Sequence, residues 1–319
     1  MLRGLSYPRI LSAAAATAGL LFAKTCGVVE REGRQLSEAA TSDQALRNPR
    51  ELDACKTLGL PTPREASAST KVIVIKHLFS DDEIDQLVAV AKGLQRKHLV
   101  GDVKRDKHGE AVSVATDMVW QTSYLHTNGE FARRLPEIRK KILLAFSSVD
   151  DEHFHLISTR RKSTGGGERS EDSDNINLRT VEFHEYWPGG QLNSDLHYDA
   201  GSLITMDIML TNPGEDFCGG QLVTPYVFPI EKESCERESG KKVFFPVENF
   251  RKGDAAFFLS HKYHNVLPVR RGKRTVLVVE VWEGPEKSCP HRCLTSGPCK
   301  YSLARAHIDS YRQHLAILG

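Results

Sequence analysis

Apolar residues recur with a helical period in one part of the chain and with a strand period in a later part. Lys71–Lys76, KVIVIK, is a β-branched run suited to a strand. Ser80 follows, with Glu83 three residues on. This is the signature of a capping box, in which a Ser oxygen accepts from an N3 amide and the Glu reaches back. It predicts a helix from Asp81 to about Leu94, with Ile84, Leu87, Val88 and Ala91 on one face. Met118–Leu125 reads as a strand ended by Asn128-Gly129. Glu130–Phe146 reads as a second helix, its apolar face made by Leu135, Ile138, Ile142 and Ala145. Pro136 falls in its first turn or two, where proline does least harm.

From residue 177 the period shortens to that of strands. Leu178–Tyr186, Leu203–Leu210, Gln221–Val227, Ala255–Leu259 and Thr275–Trp282 are β-branched or apolar runs bounded by Gly, Pro and Asn. Short strands without intervening helices argue for a sandwich or jelly roll rather than a doubly wound parallel sheet. The expected fold is therefore α+β and mainly β, with the two early helices against one face of the sheet. Tyr301–Leu318 reads as a short terminal helix.

The polar stretches divide the chain into segments. Residues 28–70 are rich in Ala, Ser, Thr, Glu and Arg, with Pro61 and Pro63 near the end, and read as a disordered linker. Residues 161–175, RKSTGGGERSEDSDN, read as a flexible insertion. Residues 1–27 form a targeting segment. Arg3 and Arg9 precede the apolar run 10–23, which is shorter than the roughly 20 residues that span a bilayer. A secretory signal is the first reading and organelle import the second, with membrane attachment only if the segment is retained as an anchor. Residues 71–284 form the main domain and 285–319 a cysteine-rich tail.

Composition adds little for most functions. The 319 residues carry a formal charge of +2, so no general electrostatic case for nucleic-acid binding exists. The seven cysteines add more, because Cys289, Cys293 and Cys299 crowd into the tail. In an oxidising lumen these and Cys235 are expected to pair as disulfides. Free thiols, or a zinc site with His291 that lacks a paired CxxC, are the other readings.

The chemistry begins at His197-Tyr198-Asp199. In a strand, residues i and i+2 point to the same side, so an imidazole and a carboxylate converge. His264 is the candidate for a third ligand. Two His and one carboxylate on one face of a metal form the facial triad of non-haem Fe(II) oxygenases. An HxD pair by itself is equally a surface turn. The added weight comes from Arg274, ten residues after His264, with Pro268 and Gly272 between them to turn the chain. Arginine is always charged and grips a carboxylate through two parallel hydrogen bonds. A dicarboxylate that chelates iron at one end needs such a clamp at the other.

These residues, together with Tyr186, Asn212–Gly220, Gly253-Asp254, His264–Val269 and Gly272, resemble the 2-oxoglutarate/Fe(II) dioxygenase superfamily, in its prolyl 4-hydroxylase and lysyl hydroxylase branch. The opening VIVIKHLFSDDEIDQLV also looks like the start of these domains. The resemblance covers residues 71–284, about two-thirds of the chain. It implies a double-stranded β-helix and an enzyme that uses O2 and 2-oxoglutarate. Such an enzyme hydroxylates a C–H bond, here a Pro or Lys side chain of a protein or peptide, and releases succinate and CO2. Ascorbate is expected as the reductant.

In this resemblance His197, Asp199 and His264 hold the metal and Arg274 binds 2-oxoglutarate. Tyr186 and Thr205 are further co-substrate contacts; Tyr186 is equally readable as a half-buried strand aromatic, and Thr205 more readily as a plain strand residue. Collagen-type prolyl hydroxylases have Lys where this chain has Arg274, which points toward the lysyl hydroxylases or the oxygen-sensing prolyl enzymes. His261 is a rival third ligand that the register to Arg274 disfavours. His184, His153 and His155 are read as ordinary polar residues, and Asn212–Gly220 as a structural turn. An inactive binding module on the same fold and a small-molecule oxygenase remain as alternatives.

Overall fold

The computed structural model describes residues 34–35, 60–95, 119–157, 176–192, 196–225, 243–293 and 299. The targeting segment 1–27, the insertion 161–175, Cys235 and the terminal helix 301–318 lie outside the described residues. Among the described residues no helix is long and apolar enough to cross a membrane.

Twelve strands occur among the described residues: β1 (Arg34–Gln35), β2 (Ile73–Ile75), β3 (Trp120–Tyr124), β4 (Asn177–Tyr186), β5 (Ile204–Met209), β6 (Phe217–Gly219), β7 (Leu222–Pro225), β8 (Val243–Pro246), β9 (Ala255–Leu259), β10 (Asn265–Val266), β11 (Val269–Gly272) and β12 (Arg274–Trp282). They pair antiparallel in a six-stranded sheet of order β2-β9-β5-β12-β4-β3, a four-stranded sheet β1-β8-β7-β10, and the pair β11-β6. This is a mainly β, antiparallel architecture with few helices.

The helices are α1 (Pro63–Ser69), α2 (Asp81–Gln95), α3 (Glu130–Arg134) and α4 (Pro136–Val149). The capping box at α2 forms as its sequence requires: Ser80 Oγ accepts from the Glu83 amide at 3.2 Å, and the Ser80 amide donates to Glu83 Oε2 at 2.9 Å. Ile84, Leu87, Ala91 and Leu94 of α2 share one core with Ile138, Ile142 and Phe146 of α4 and with Met206, Ile208, Phe257, Leu277 and Val279 of the large sheet.

Strand alternation then separates the two faces of that sheet. In β9, Ala255, Phe257 and Leu259 join the helical core, while Ala256 and Phe258 turn to the other side. There they pack with Met209, with Leu222 and Val266 of the four-stranded sheet, and with Phe217.

Two expectations need correction. The segment to residue 70 does not end as a disordered linker, because residues 63–69 form α1 with Ala66 and Ser67 buried. Thr62 and Glu65 make a second capping box, and Pro63 occupies the first helical position, where its missing N–H costs nothing. The buried Lys262 ammonium donates to the carbonyls of Ser67 and Thr70 at 3.0 and 2.8 Å, satisfying the end of α1. The second helix is also not continuous from Glu130. Leu135 leaves the helical region (φ −131°, ψ 52°) and divides α3 from α4. Pro136 excludes the helical conformation for the residue before it and then starts α4.

Candidate metal centre

The inner face of the six-stranded sheet, turned away from α2 and α4, carries Thr205, Asp207, Arg274 and Glu280. Register aligns Thr205 of β5 with Phe258 of β9 and Glu280 of β12, and Asp207 with Ala256 and Val278. Arg274 lies opposite Tyr186 of β4. Above this face two short segments meet in an isolated antiparallel bridge between His197 and His264, whose amide donates to the His197 carbonyl at 2.9 Å. The Asp199 amide donates to the Ser260 carbonyl at 2.7 Å, fixing the first segment to the end of β9.

The structure brings His197, Asp199 and His264 together. One ligand atom from each lies within 4.8 Å of the others. His197 Nε2 is 3.2 Å from Asp199 Oδ1, and His264 Nε2 is 3.7 Å from Asp199 Oδ2. The His197 side chain is 34% exposed whereas Asp199 and His264 are buried, so the centre opens on the His197 side. Each buried ligand is held by a further contact. His264 Nδ1 lies 3.0 Å from the Lys262 carbonyl, to which it donates, and this leaves the Nε2 lone pair facing Asp199. Thr205 Oγ1 donates to Asp199 Oδ2 at 2.7 Å and sits 2.9 Å from Ser260 Oγ.

Metal ligands bind as neutral imidazole and carboxylate; His264 and Asp199 lean to those forms, whereas His197 leans toward its protonated form. Burial pushes His264 down to about 4 against the pull of Asp199. Burial would raise Asp199, but the charge of His264, the hydrogen bond with His197 and Arg292 outweigh it and hold the carboxyl well below its ordinary value. His197 is raised, because the hydrogen bond and charge of Asp199 outweigh its burial.

Arg274 is fully buried (0% exposed), and none of its three guanidinium nitrogens has a hydrogen-bond partner among the described residues. Its nearest carboxylate is Asp207, with Nη2 to Oδ2 at 4.0 Å, too far for a hydrogen bond. Its guanidinium carbon stands 5.2 Å over the ring of Tyr186, which stacks on Trp120. A charge in this state is costly unless an anion joins it. Asp207 reflects the same burial, which pushes its carboxyl up to about 6 against the pull of Arg274. Gly220 lets the chain pass close by: it has φ +63°, and a Cβ there would meet Val269 Cγ2 at 2.9 Å and Arg274 Cδ at 3.0 Å.

The two parts are adjacent. Thr205, which touches Asp199, and Asp207, which touches Arg274, are two residues apart on one face of β5, roughly 7 Å along the strand. The donor set and the orphaned guanidinium thus fit a metal ion with a carboxylate ligand beside it.

The remaining sequence-derived candidates fall as follows. Thr205 contacts Asp199, and Tyr186 lies under Arg274. His261 is not in the cluster: its Nδ1 is 3.1 Å from the Pro61 carbonyl, and its ring packs edge-on to Tyr198. His184 is satisfied by Thr122, Trp120 and Glu182. His153 lies 3.8 Å from Glu152, away from the centre. Lys273 leaves the Arg274 face and pairs with Glu185 at 2.8 Å.

Three charged groups near the centre escape a motif-based reading: Asp207, Glu280 and Arg292. The first two had a usable signal. Asp207 is two residues from Thr205, and Glu280 interrupts the apolar run of β12. Arg292 had none, because it lies beyond the span of the resemblance. Its Nε and Nη2 donate to the two Glu280 oxygens at 2.7 and 3.0 Å, and Nη2 is 3.5 Å from Asp199 Oδ1.

No family model and no curated protein matches the chain. Solved structures do. The viral collagen prolyl hydroxylase of Paramecium bursaria Chlorella virus-1, in its 2-oxoglutarate complex, matches at 21% identity over 67% of this chain and 97% of its own, with a TM-score of 0.38. A 2OG-Fe(II) oxygenase family oxidoreductase from Burkholderia pseudomallei matches at 15% identity over 75% and 93%, TM-score 0.38. A Trichoplax adhaerens prolyl hydroxylase in complex with a hypoxia inducible factor peptide fragment matches at 12% identity over 76% and 96%, TM-score 0.39. At these values the superpositions are loose, and the functional reading rests on the side chains above. The chain is similar to 2OG-Fe(II) oxygenase family proteins, prolyl hydroxylases among them.

Proposed function

We propose that this protein is an Fe(II)- and 2-oxoglutarate-dependent hydroxylase on a double-stranded β-helix. The observation that carries the reading is Arg274: a fully buried guanidinium with no hydrogen-bond partner among the described residues, beside a converging His-Asp-His set. His197, Asp199 and His264 would hold iron(II), which when bound supplies dioxygen activation. Arg274 binds the distal carboxylate of 2-oxoglutarate through its two outward nitrogens. Tyr186 supports the guanidinium from below, and Thr205 orients the Asp199 carboxylate. The apolar floor of Val276, Val278 and Phe258 keeps water from the co-substrate.

The substrate we favour is a Pro or Lys side chain of a protein or peptide, with Arg274 in place of Lys setting the chain apart from collagen-type prolyl enzymes. Ascorbate serves as the reductant. A secretory-pathway location is part of this proposal, on the charged start and short apolar run of residues 1–27. The test is succinate formation by the purified full chain with Fe(II), 2-oxoglutarate and ascorbate, followed by mass spectrometry of a secretory-pathway peptide library. Succinate above the metal-free control, and a gain of one oxygen on Pro or Lys, is the expected result. No succinate with any peptide would favour a binding module instead.

A further inference from the structure

The tail brings a second ligand set together. Cys289, His291, Cys293 and Cys299 each place one ligand atom within 4.8 Å of the others. The three cysteines are buried as one cluster, and all three are thiols, although the same chain carries a disulfide at Cys218. Cys289, Cys293 and Cys299 are therefore not joined to one another by disulfides, while Cys235, the other cysteine expected to pair, lies outside the described residues. Three sulfurs cannot all pair with one another, and an imidazole has no part in a disulfide. Three thiolates and one imidazole do form a closed tetrahedral zinc site, whose ligand atoms stand about 3.5–4 Å apart at bond lengths of roughly 2.0–2.3 Å. Small side-chain adjustments reach that geometry. The soft donors select zinc over the hard cations, and the full set of four leaves no open position for catalysis.

The peptide carrying these ligands is fastened to the sheet at several points. The Lys287 amide donates to the Leu178 carbonyl at 3.2 Å, and the Ser288 carbonyl accepts from the Asn128 amide at 2.8 Å. The buried Arg179 donates from Nε and Nη2 to the Cys293 carbonyl at 3.1 and 2.9 Å. Arg292, set between two of the ligands, turns the other way onto Glu280 and comes within 3.5 Å of Asp199.

We propose that Cys289, His291, Cys293 and Cys299 bind a structural Zn2+ ion, and that this ion fixes the tail so that Arg292 forms part of the wall of the candidate metal centre. Binding converts three thiols to thiolates and releases their protons to solvent. The first part is independent of the hydroxylase reading. The role of Arg292 at the candidate metal centre rests on that reading.

Metal analysis and cobalt(II) exchange of the full chain test the site. Thiolate ligands give cobalt strong charge-transfer bands in the near ultraviolet, which a His-Asp-His centre cannot produce. One zinc per chain is expected in the wild type and in Asp199→Ala, with the cobalt bands present in both. Cys293→Ser is expected to lose zinc and bands together. Should that variant fail to fold, zinc-edge X-ray absorption on the wild type decides: a shell of three sulfurs and one nitrogen supports the site, and a nitrogen-oxygen shell overturns it. Wild-type protein without stoichiometric zinc, or native peptide maps that join two of the three cysteines, also overturn it. The anchoring is read by hydrogen exchange. Chelating the zinc is expected to speed amide exchange across residues 285–293 by about tenfold or more, and unchanged exchange there rejects the anchoring.

Discussion

The two faces of the six-stranded sheet are made by the same strands, yet they are built on different physics. The outer face is apolar at nearly every position: Phe183, Met206, Ile208, Phe257, Leu277 and Val279 pack against helices α2 and α4. The inner face alternates with it residue for residue and carries Thr205, Asp207, Arg274, Glu280, Glu182 and His184, all buried. Burial of apolar groups on the first face stabilises the fold by roughly 1.5–3 kcal/mol per large side chain. Burial of charges on the second opposes folding unless each charge is paired and hydrogen-bonded, and among the described residues Arg274 has only the distant Asp207 carboxylate and no hydrogen bond. One face secures the fold, and the other holds polar groups ready for ligands.

Substitutions on the two faces should therefore separate stability from activity. Asp199→Ala removes the ligand that both histidines approach, and succinate formation should become undetectable while the unfolding midpoint in denaturant barely moves. A variant that keeps turnover would remove Asp199 from the metal centre. Phe257→Ala on the opposite face, whose ring meets Phe146 edge-on at 5.5 Å, should cost about 3–5 kcal/mol by denaturant titration. Its 2-oxoglutarate requirement, measured on the folded fraction, should stay close to wild type.

Arg274→Met tests the unsatisfied charge itself. Replacing an unpaired buried guanidinium by an apolar chain should leave the thermal midpoint of the ligand-free protein unchanged or higher. The requirement for 2-oxoglutarate should rise by about 2–5 kcal/mol, roughly 30-fold or more. A lower midpoint together with an unchanged requirement would make Arg274 a structural residue.

The smallest effect concerns Asp207, whose carboxyl burial pushes up to about 6. The folded form holds its proton more tightly than the unfolded chain. Its contribution to stability is therefore greatest at low pH and declines as pH rises from about 4, the unfolded value, through about 6. Once ionised, it also competes for Arg274 at 4.0 Å, so 2-oxoglutarate binding should weaken a few-fold as pH rises through about 6. Isothermal titration from pH 5 to 7.5 should show this slope in the wild type and a flat profile in Asp207→Asn. Identical slopes in both would assign the dependence elsewhere.

Much of this was legible in the chain because its signals are local. The strand runs came out within a few residues, since alternation and bounding Gly or Pro act over short distances. The Ser80–Glu83 box announces α2, whereas the equivalent Thr62–Glu65 box before α1 lies in a polar stretch with no apolar period to mark a helix. Leu135 broke the second helix for a reason also written locally, the proline after it. Asp207 and Glu280 were visible as charges inside strand patterns, but nothing in the pattern says that both face the same interior.

The sequence by itself determined the strand and helix periods, the capping boxes, and the order and spacing of His197, Asp199, His264 and Arg274, because each depends on neighbours within one or two turns or on a motif carried along the chain. Tertiary structure alone decided that Arg274 has no hydrogen-bond partner among the described residues, that Thr205 serves Asp199, and that the tail returns with Arg292 to Glu280 and the edge of the same centre. Those outcomes depend on cross-strand register and on which side chains burial leaves unpaired. Both are properties of the packed chain, in which residues as distant as Arg179 and Cys293 meet and no local pattern records the meeting.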